Sequence, residues 1–187
     1  MVLTLCFAEK GISGHVDKTV CMIFNPKCKR LIVATEFPSF ILNNVALHFV
    51  KEFKYLGHII NNELSDNNDV KREIRNLFMR TNILIRRYSN CTVSVKLTLF
   101  KAFCMCLYDA GMWKIYSATV WNKLRSCYNK CIKIFFGYDR RFSVTEMLSE
   151  LNLSCFENVI TECVHSMNSR WFASCNYLVA NLVSLQL

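Results

Sequence analysis

Asp69-Val70-Lys71-Arg72-Glu73-Ile74-Arg75-Asn76-Leu77-Phe78-Met79-Arg80-Thr81-Asn82-Ile83-Leu84-Ile85-Arg86-Arg87-Tyr88 carries one periodicity from end to end. Val70, Ile74, Leu77, Phe78, Thr81, Leu84, Ile85 and Tyr88 recur every three or four residues, which lines them up on one side of an α-helix. The opposite side carries Arg72, Arg75 and Arg86, with Lys71, Arg80 and Arg87 beside them. Such a helix spans roughly 28 Å at about 1.5 Å per residue. Asp66, Asn67 or Asn68 suits its N-cap, and Asp69 suits its positive end. A helix with one dry face this long needs other elements to bury it.

The downstream residues supply them. Ser94 is a cap for a second helix reaching about Gly111. Val95, Leu99, Phe103, Cys106 and Ala110 fall on one line of it and Phe100, Cys104 and Leu107 beside that line, which predicts the buried centre of a bundle. Ser117 opens a third helix, with Trp121, Leu124, Tyr128, Cys131, Ile132 and Phe135 inward and Lys123, Lys130 and Lys133 outward. Gly137 is placed to end it. Ser143-Val144-Thr145-Glu146 fits a capping box. Residues 155–173 form a further helix on Phe156, Val159, Ile160, Cys163, Met167 and Trp171.

Upstream the periodicity changes. Residues 1–10 read as the last turns of a helix whose start is missing, broken by Gly11 and Gly14. Short apolar runs at Val20–Phe24, Leu31–Ala34, Ala46–Val50 and Tyr55–Ile60 read as strands. The expected class is α+β and mostly helical: a small sheet over residues 1–65, a helical bundle over 66–137 and a helical extension over 138–187, with the boundary in the polar loop at 61–68.

The composition narrows the function. The chain has 187 residues, 52% of them apolar, which is enough for a packed core and too apolar for a disordered tail. Its net charge of +9 is segregated. Residues 1–70 hold seven basic and seven acidic residues, 71–141 hold fifteen against three, and 142–187 hold one against four. A central block this basic calls for an anionic partner, of which nucleic acid is the usual one; the alternative is a basic surface kept for solubility.

Eleven cysteines in a chain of this length, without a basic leader or cleavage site, read as reduced thiols of an intracellular protein, cytoplasmic or nuclear. The closest groupings are Cys104-x-Cys106, Cys127-x-x-x-Cys131 and Cys163-x-His165, and none has zinc-site spacing. The most apolar stretch, Leu97 to Met112, is interrupted by Lys101 and Asp109, so no membrane span is expected. His15, His48, His58 and His165 have no neighbours that would activate a nucleophile.

Several segments together carry a resemblance. Asp17-Lys18-Thr19-Val20-Cys21-Met22-Ile23-Phe24 resembles the strand after the catalytic hairpin of non-LTR retrotransposon reverse transcriptases. Phe53-Lys54-Tyr55-Leu56-Gly57-His58-Ile59-Ile60 resembles their primer-supporting hairpin. Asp69–Arg87 and Lys96-Leu97-Thr98-Leu99-Phe100-Lys101-Ala102-Phe103 look like the first two thumb helices. Tyr128-Asn129-Lys130-Cys131 and Phe136-Gly137-Tyr138-Asp139-Arg140-Arg141 are similar to the segment after those helices in LINE-type, jockey-like elements. The likeness covers most of the chain and rests on the order and spacing of these segments together.

The resemblance implies an RNA-directed DNA polymerase ancestry, a family that uses magnesium. Nucleotide joining needs two metal ions held by carboxylates. The family supplies these from an Asp-Asp turn, and this sequence contains no Asp-Asp pair. Phe7-Ala8-Glu9-Lys10 only echoes that turn, so no catalytic residue and no cofactor are assigned. By resemblance Tyr55, Leu56 and Gly57 hold a primer backbone, and Lys18 lies near nucleotide phosphates; the alternatives are a plain tight hairpin and a strand-end lysine in water. Arg72, Arg75, Arg86, Lys123, Lys130 and Lys133 are the candidates to meet the backbone of RNA, DNA or their hybrid.

The expected function is therefore sequence-independent nucleic-acid binding by a reverse-transcriptase fragment that is inactive alone, with no membrane and no small-molecule substrate. The rivals are a helical interaction module, self-associating through exposed apolar surface, and a remnant of a decayed element without function.

Overall fold

The computed structural model describes residues 15, 18–25, 37–107, 109–177 and 179. The expected first helix and the strand at Leu31–Ala34 lie outside them. The chain is α+β and mostly helical, and it divides into two compact units, Met1–Asp66 and Asn67–Leu187.

In the first unit, strands β1 (Ile41–Leu42) and β2 (Val45–Ala46) pair antiparallel, Ile41 opposite Ala46 and Leu42 opposite Val45. Asn43 and Asn44 turn this hairpin at φ 50° and 62°. Asparagine tolerates that left-handed region better than most residues, which fits the type of turn that matches strand twist. Strands β3 (Glu52–Tyr55) and β4 (His58–Asn61) form a second hairpin, with Glu52 opposite Asn61 and Tyr55 opposite His58. Its turn is Leu56-Gly57, at φ 48° and 91°. The Asn61 side chain closes the next loop, donating to the Ser65 carbonyl at 2.7 Å and accepting from its N–H at 2.9 Å.

This corrects the strand pattern drawn from apolar runs. Tyr55–Ile60 is not one strand, because a residue able to take positive φ sits in its middle. Ala46–Val50 keeps only its first residue in a strand, and Val20–Phe24 builds no ladder. Cys21 instead makes a single parallel bridge to Phe49, its N–H donating to the His48 carbonyl at 2.9 Å and its carbonyl accepting from Val50 at 2.8 Å.

The second unit contains α1 (Asn67–Tyr88), α2 (Val93–Phe103), α3 (Ala118–Phe136), α4 (Val144–Glu150) and α5 (Phe156–Phe172). The caps arise from the local sequence. Ser117 Oγ accepts from the Val120 N–H, Gly137 ends α3 in the left-handed region at φ 81°, and Ser143 Oγ accepts from the Glu146 N–H. The apolar stripe of α1 buries Val70, Leu77, Thr81 and Leu84 fully, with Ile74, Phe78, Ile85 and Tyr88 along its margins. Helices α3 and α2 pack on α1, and Leu124, Cys127, Tyr128, Cys131, Ile132 and Phe135 of α3 and Phe100 of α2 share one core with its stripe. Met147 of α4 and Phe156 and Val159 of α5 extend that core, Phe156 against Trp121 and Tyr128 of α3. Phe100 packs against Tyr128, Phe135 and Phe136 with ring centroids 6.1–6.3 Å apart. The Tyr128 hydroxyl donates to the Ser154 carbonyl at 2.8 Å.

Two expectations change here. Helix α2 ends at Phe103 rather than Gly111, and it is not the centre of the bundle: it buries only Phe100, while Val93 and Phe103 are more than half exposed. The central helix is α3. Leu107, Ala110 and Trp113 are buried from irregular chain between α2 and α3, where Trp113 reaches Asp69 of α1. Among the described residues no helix is long and apolar enough to cross a membrane.

Candidate nucleic-acid interface

Helices α1 and α3 meet where the Cys127 thiol donates to the Ile74 carbonyl at 3.7 Å and the Lys130 ammonium lies 5.6 Å from the Phe78 ring centre. The basic side chains of both helices fall into two groups according to what they touch.

The first group is engaged. Arg72 is turned inward rather than out, its side chain only 15% exposed. Its Nε donates to Asp69 Oδ1 at 2.6 Å and its Nη2 to Asp69 Oδ2 at 3.2 Å, while Nη2 also meets Asp109 and Nη1 lies 3.7 Å from Glu73. Burial pulls its pKa down, but the bond to Asp69 and the charges of Asp69, Asp109 and Glu73 outweigh this and hold it above its ordinary value. Asp69 is fully buried and also accepts from Trp113 Nε1 at 2.8 Å. Arg80 is bound to the buried Glu73. Lys133 donates to the carbonyls of Arg140 and Phe142 at 2.9 and 2.5 Å, so it ties down the loop after α3. Arg125 pairs with Glu157 at 2.5 Å. The placement of Arg72 and Lys133 on an outer cationic face is thereby corrected: both bind the protein itself.

The second group is available. Lys71, Arg75, Arg86 and Arg87 on α1 and Lys123 and Lys130 on α3 are exposed, and among the described residues none is held by a carboxylate. Four of them, Arg75, Arg86, Lys123 and Lys130, line two hollows that share Phe78. One, of about 580 Å³, is lined by Ile74, Phe78, Thr119, Asn122, Lys123, Ser126, Cys127 and Lys130. The other, of about 470 Å³, is lined by Arg75, Phe78, Met79, Asn82, Ile83 and Arg86. Phe78 reads as core from its periodicity alone. Its place at the margin of the stripe, next to Arg75, is the only sequence sign that its ring reaches the surface.

In the first unit, Lys18 and Tyr55 line one hollow of about 440 Å³ with Thr19, Val20, Met22, Phe24, Phe53 and Ile60. Leu56 and Gly57 form the tip of the β3–β4 hairpin, where Leu56 is 89% exposed.

Three of the nine described cysteines are core residues. Cys104, Cys127 and Cys131 are buried, with Cys127 and Cys131 sulfurs 3.9 Å apart and Cys104 Sγ 3.7 Å from the Thr81 hydroxyl. Burial pushes the Cys104 thiol up to about 11, against some lowering by Thr81. The hydrogen bond to Cys131, then burial, pushes Cys127 up as well. Among the described residues no cysteine joins a cluster of three metal-ligating groups.

Comparison with known protein families, with curated proteins and with solved structures finds no match to this chain.

Proposed function

We propose that this chain binds the backbone of RNA, DNA or their hybrid without reading its sequence, through Arg75, Arg86, Lys123 and Lys130. The observation that supports this most is the sorting of the cations. Carboxylates and carbonyls of the protein take up Arg72, Arg80, Arg125 and Lys133, and of the exposed cations left over on the two packed helices, Arg75, Arg86, Lys123 and Lys130 line two hollows that share Phe78. Phosphates are the ligands such a face meets without base recognition. The sequence likeness to the thumb of non-LTR reverse transcriptases, in an intracellular setting, fits the same reading. Lacking the paired aspartates, the chain is a binder and not a polymerase, and alone it leaves a primer unextended.

The test is fluorescence anisotropy with a labelled 20-mer across salt. Four phosphate contacts should cost roughly 100-fold in affinity between 50 and 200 mM salt, at a slope of about −0.9 per contact on duplex. Charge reversal in Arg75→Glu/Lys123→Glu should remove most of the binding. Affinity indifferent to salt and to that double variant would sink the proposal.

The second reading, a module that associates with itself, rests on Val93, Val95 and Phe103 of α2, all exposed to 45% or more. Sedimentation showing concentration-dependent dimers, lost in Phe103→Ser, would support it.

A further inference from the structure

The hollows around Phe78 bear on which form of nucleic acid the surface suits, an inference that rests on the backbone-binding reading above. We infer that Phe78 is a stacking platform for an unpaired base, so the α1–α3 face takes single strands in preference to duplex.

A phosphate-only site needs cations and polar groups. Here the floor is Ile74, Phe78 and Cys127, and the cations stand at the rim. The volumes, about 580 and 470 Å³, fall in the range of small-ligand sites, about 300–1,000 Å³. Phe78 lines both hollows, one shared with Lys123 and Lys130 and the other with Arg75 and Arg86. A strand running from one hollow to the other passes the ring and meets cations in each.

Lys130 marks which face of the ring is reachable, since its ammonium lies over that face at 5.6 Å and has no carboxylate partner among the described residues. A flat base fills the same position, and the released ammonium then serves the adjoining phosphate. Bases of a duplex are already stacked on one another and cannot offer a face to Phe78, whereas those of a single strand can. Thr119, Asn122 and Ser126 leave hydrogen-bonding groups nearby, and stacking on an aromatic ring is itself tolerant of sequence because every base has a π-face. Charge favours a nucleic acid over a protein helix as occupant, because both hollows carry two cations and neither is lined by a carboxylate.

The test compares labelled oligo-dT 12-mer with a 12-bp duplex by anisotropy at one salt concentration, on the full chain. Stacking on one aromatic should favour the single strand by roughly 5- to 150-fold. Phe78→Ala should collapse that selectivity to near one, and so should Phe78→Leu, which keeps the apolar packing if the alanine variant fails to fold. Phe78→Trp should preserve it, with emission quenched by oligo-dT beyond the quenching seen in the wild-type protein. Equal affinity for both forms, or selectivity that survives Phe78→Leu, overturns the stacking inference and leaves backbone binding standing. Loss of salt-sensitive binding to both forms overturns the interface itself. An acidic amphipathic peptide that binds the groove while oligo-dT fails to compete also overturns it, in favour of a protein partner.

Discussion

A buried carboxylate is tolerated only when it is bonded, and Asp69 shows what that demands of its neighbours. It accepts from Arg72 at 2.6 Å and from Trp113 at 2.8 Å with none of its surface exposed. Asp69→Asn removes one of the three carboxylates around Arg72 and leaves Asp109 and Glu73 to hold it. Losing a charged hydrogen bond costs about 1.5–3 kcal/mol, so the urea midpoint of the variant should fall below wild type; an unchanged midpoint would mean the Asp69 charge does not stabilise the fold. The same residues show what sequence can and cannot convey. The three-residue spacing of Asp69 and Arg72 is visible in the chain, and by itself it suggests a helix-end charge beside an outward arginine. Asp109, which binds Arg72, and Trp113, which binds Asp69, lie 37 and 44 residues further along the chain, beyond any local pattern. Burial also sorts the thiols. Exposed Cys175 should take up iodoacetamide at pH 8 before Cys104, Cys127 and Cys131, which are buried and, for Cys104 and Cys127, held protonated. Peptide mass spectrometry over time gives the order of labelling.

Helix ends and close approaches set what each element tolerates. Gly137 closes α3 at φ 81°, where a Cβ meets no neighbour but the backbone itself is strained for any other residue. Gly137→Ala should cost about 1–2 kcal/mol. Gly111 has the opposite problem, since an added Cβ would lie 2.8 Å from the Met167 sulfur and 3.0 Å from its Cβ on α5. Overpacking of this kind costs about 1–3 kcal/mol. Gly111→Ala should therefore lower the melting temperature, and Met167→Ala added to it should give less than the sum of the two single losses. Additive losses would mean the two sites do not touch. The caps at Ser117, Gly137 and Ser143 are legible in the sequence because capping is local chemistry. The end of α2 is not. Leu107 and Ala110 are buried as their helical spacing demands, yet they are buried from irregular chain. Here periodicity finds two dry side chains without the backbone that carries them, and it also places Val95 and Phe103 inside although both are exposed. The hairpins escape it for the same reason: a run of apolar residues does not show where Asn43-Asn44 or Leu56-Gly57 will reverse it.

Over the entire chain, net charge overstates the available cationic surface, because several of the fifteen basic residues at 71–141 are engaged inside the fold. The groups buried with them make stability depend on alkaline pH. The Cys104 thiol rises from 9.0 to about 11 on folding, chiefly through burial. Tyr128 is raised too, by burial and then by the charges of Cys155 and Glu162. A raised folded pKa means the native state holds its proton after the unfolded chain has lost it. Stability from Cys104 is thus complete below pH 9 and drains away as pH climbs toward 11, by about 2–3 kcal/mol at 1.36 kcal/mol per unit. Urea unfolding followed by far-ultraviolet circular dichroism should give a constant midpoint from pH 7 to 8.5 and a falling one from 9 to 11. Cys104→Ala begins lower, because it leaves a small void, but its midpoint should fall less steeply over that interval. If wild type and variant decline in parallel, the thiol is not what couples folding to alkali.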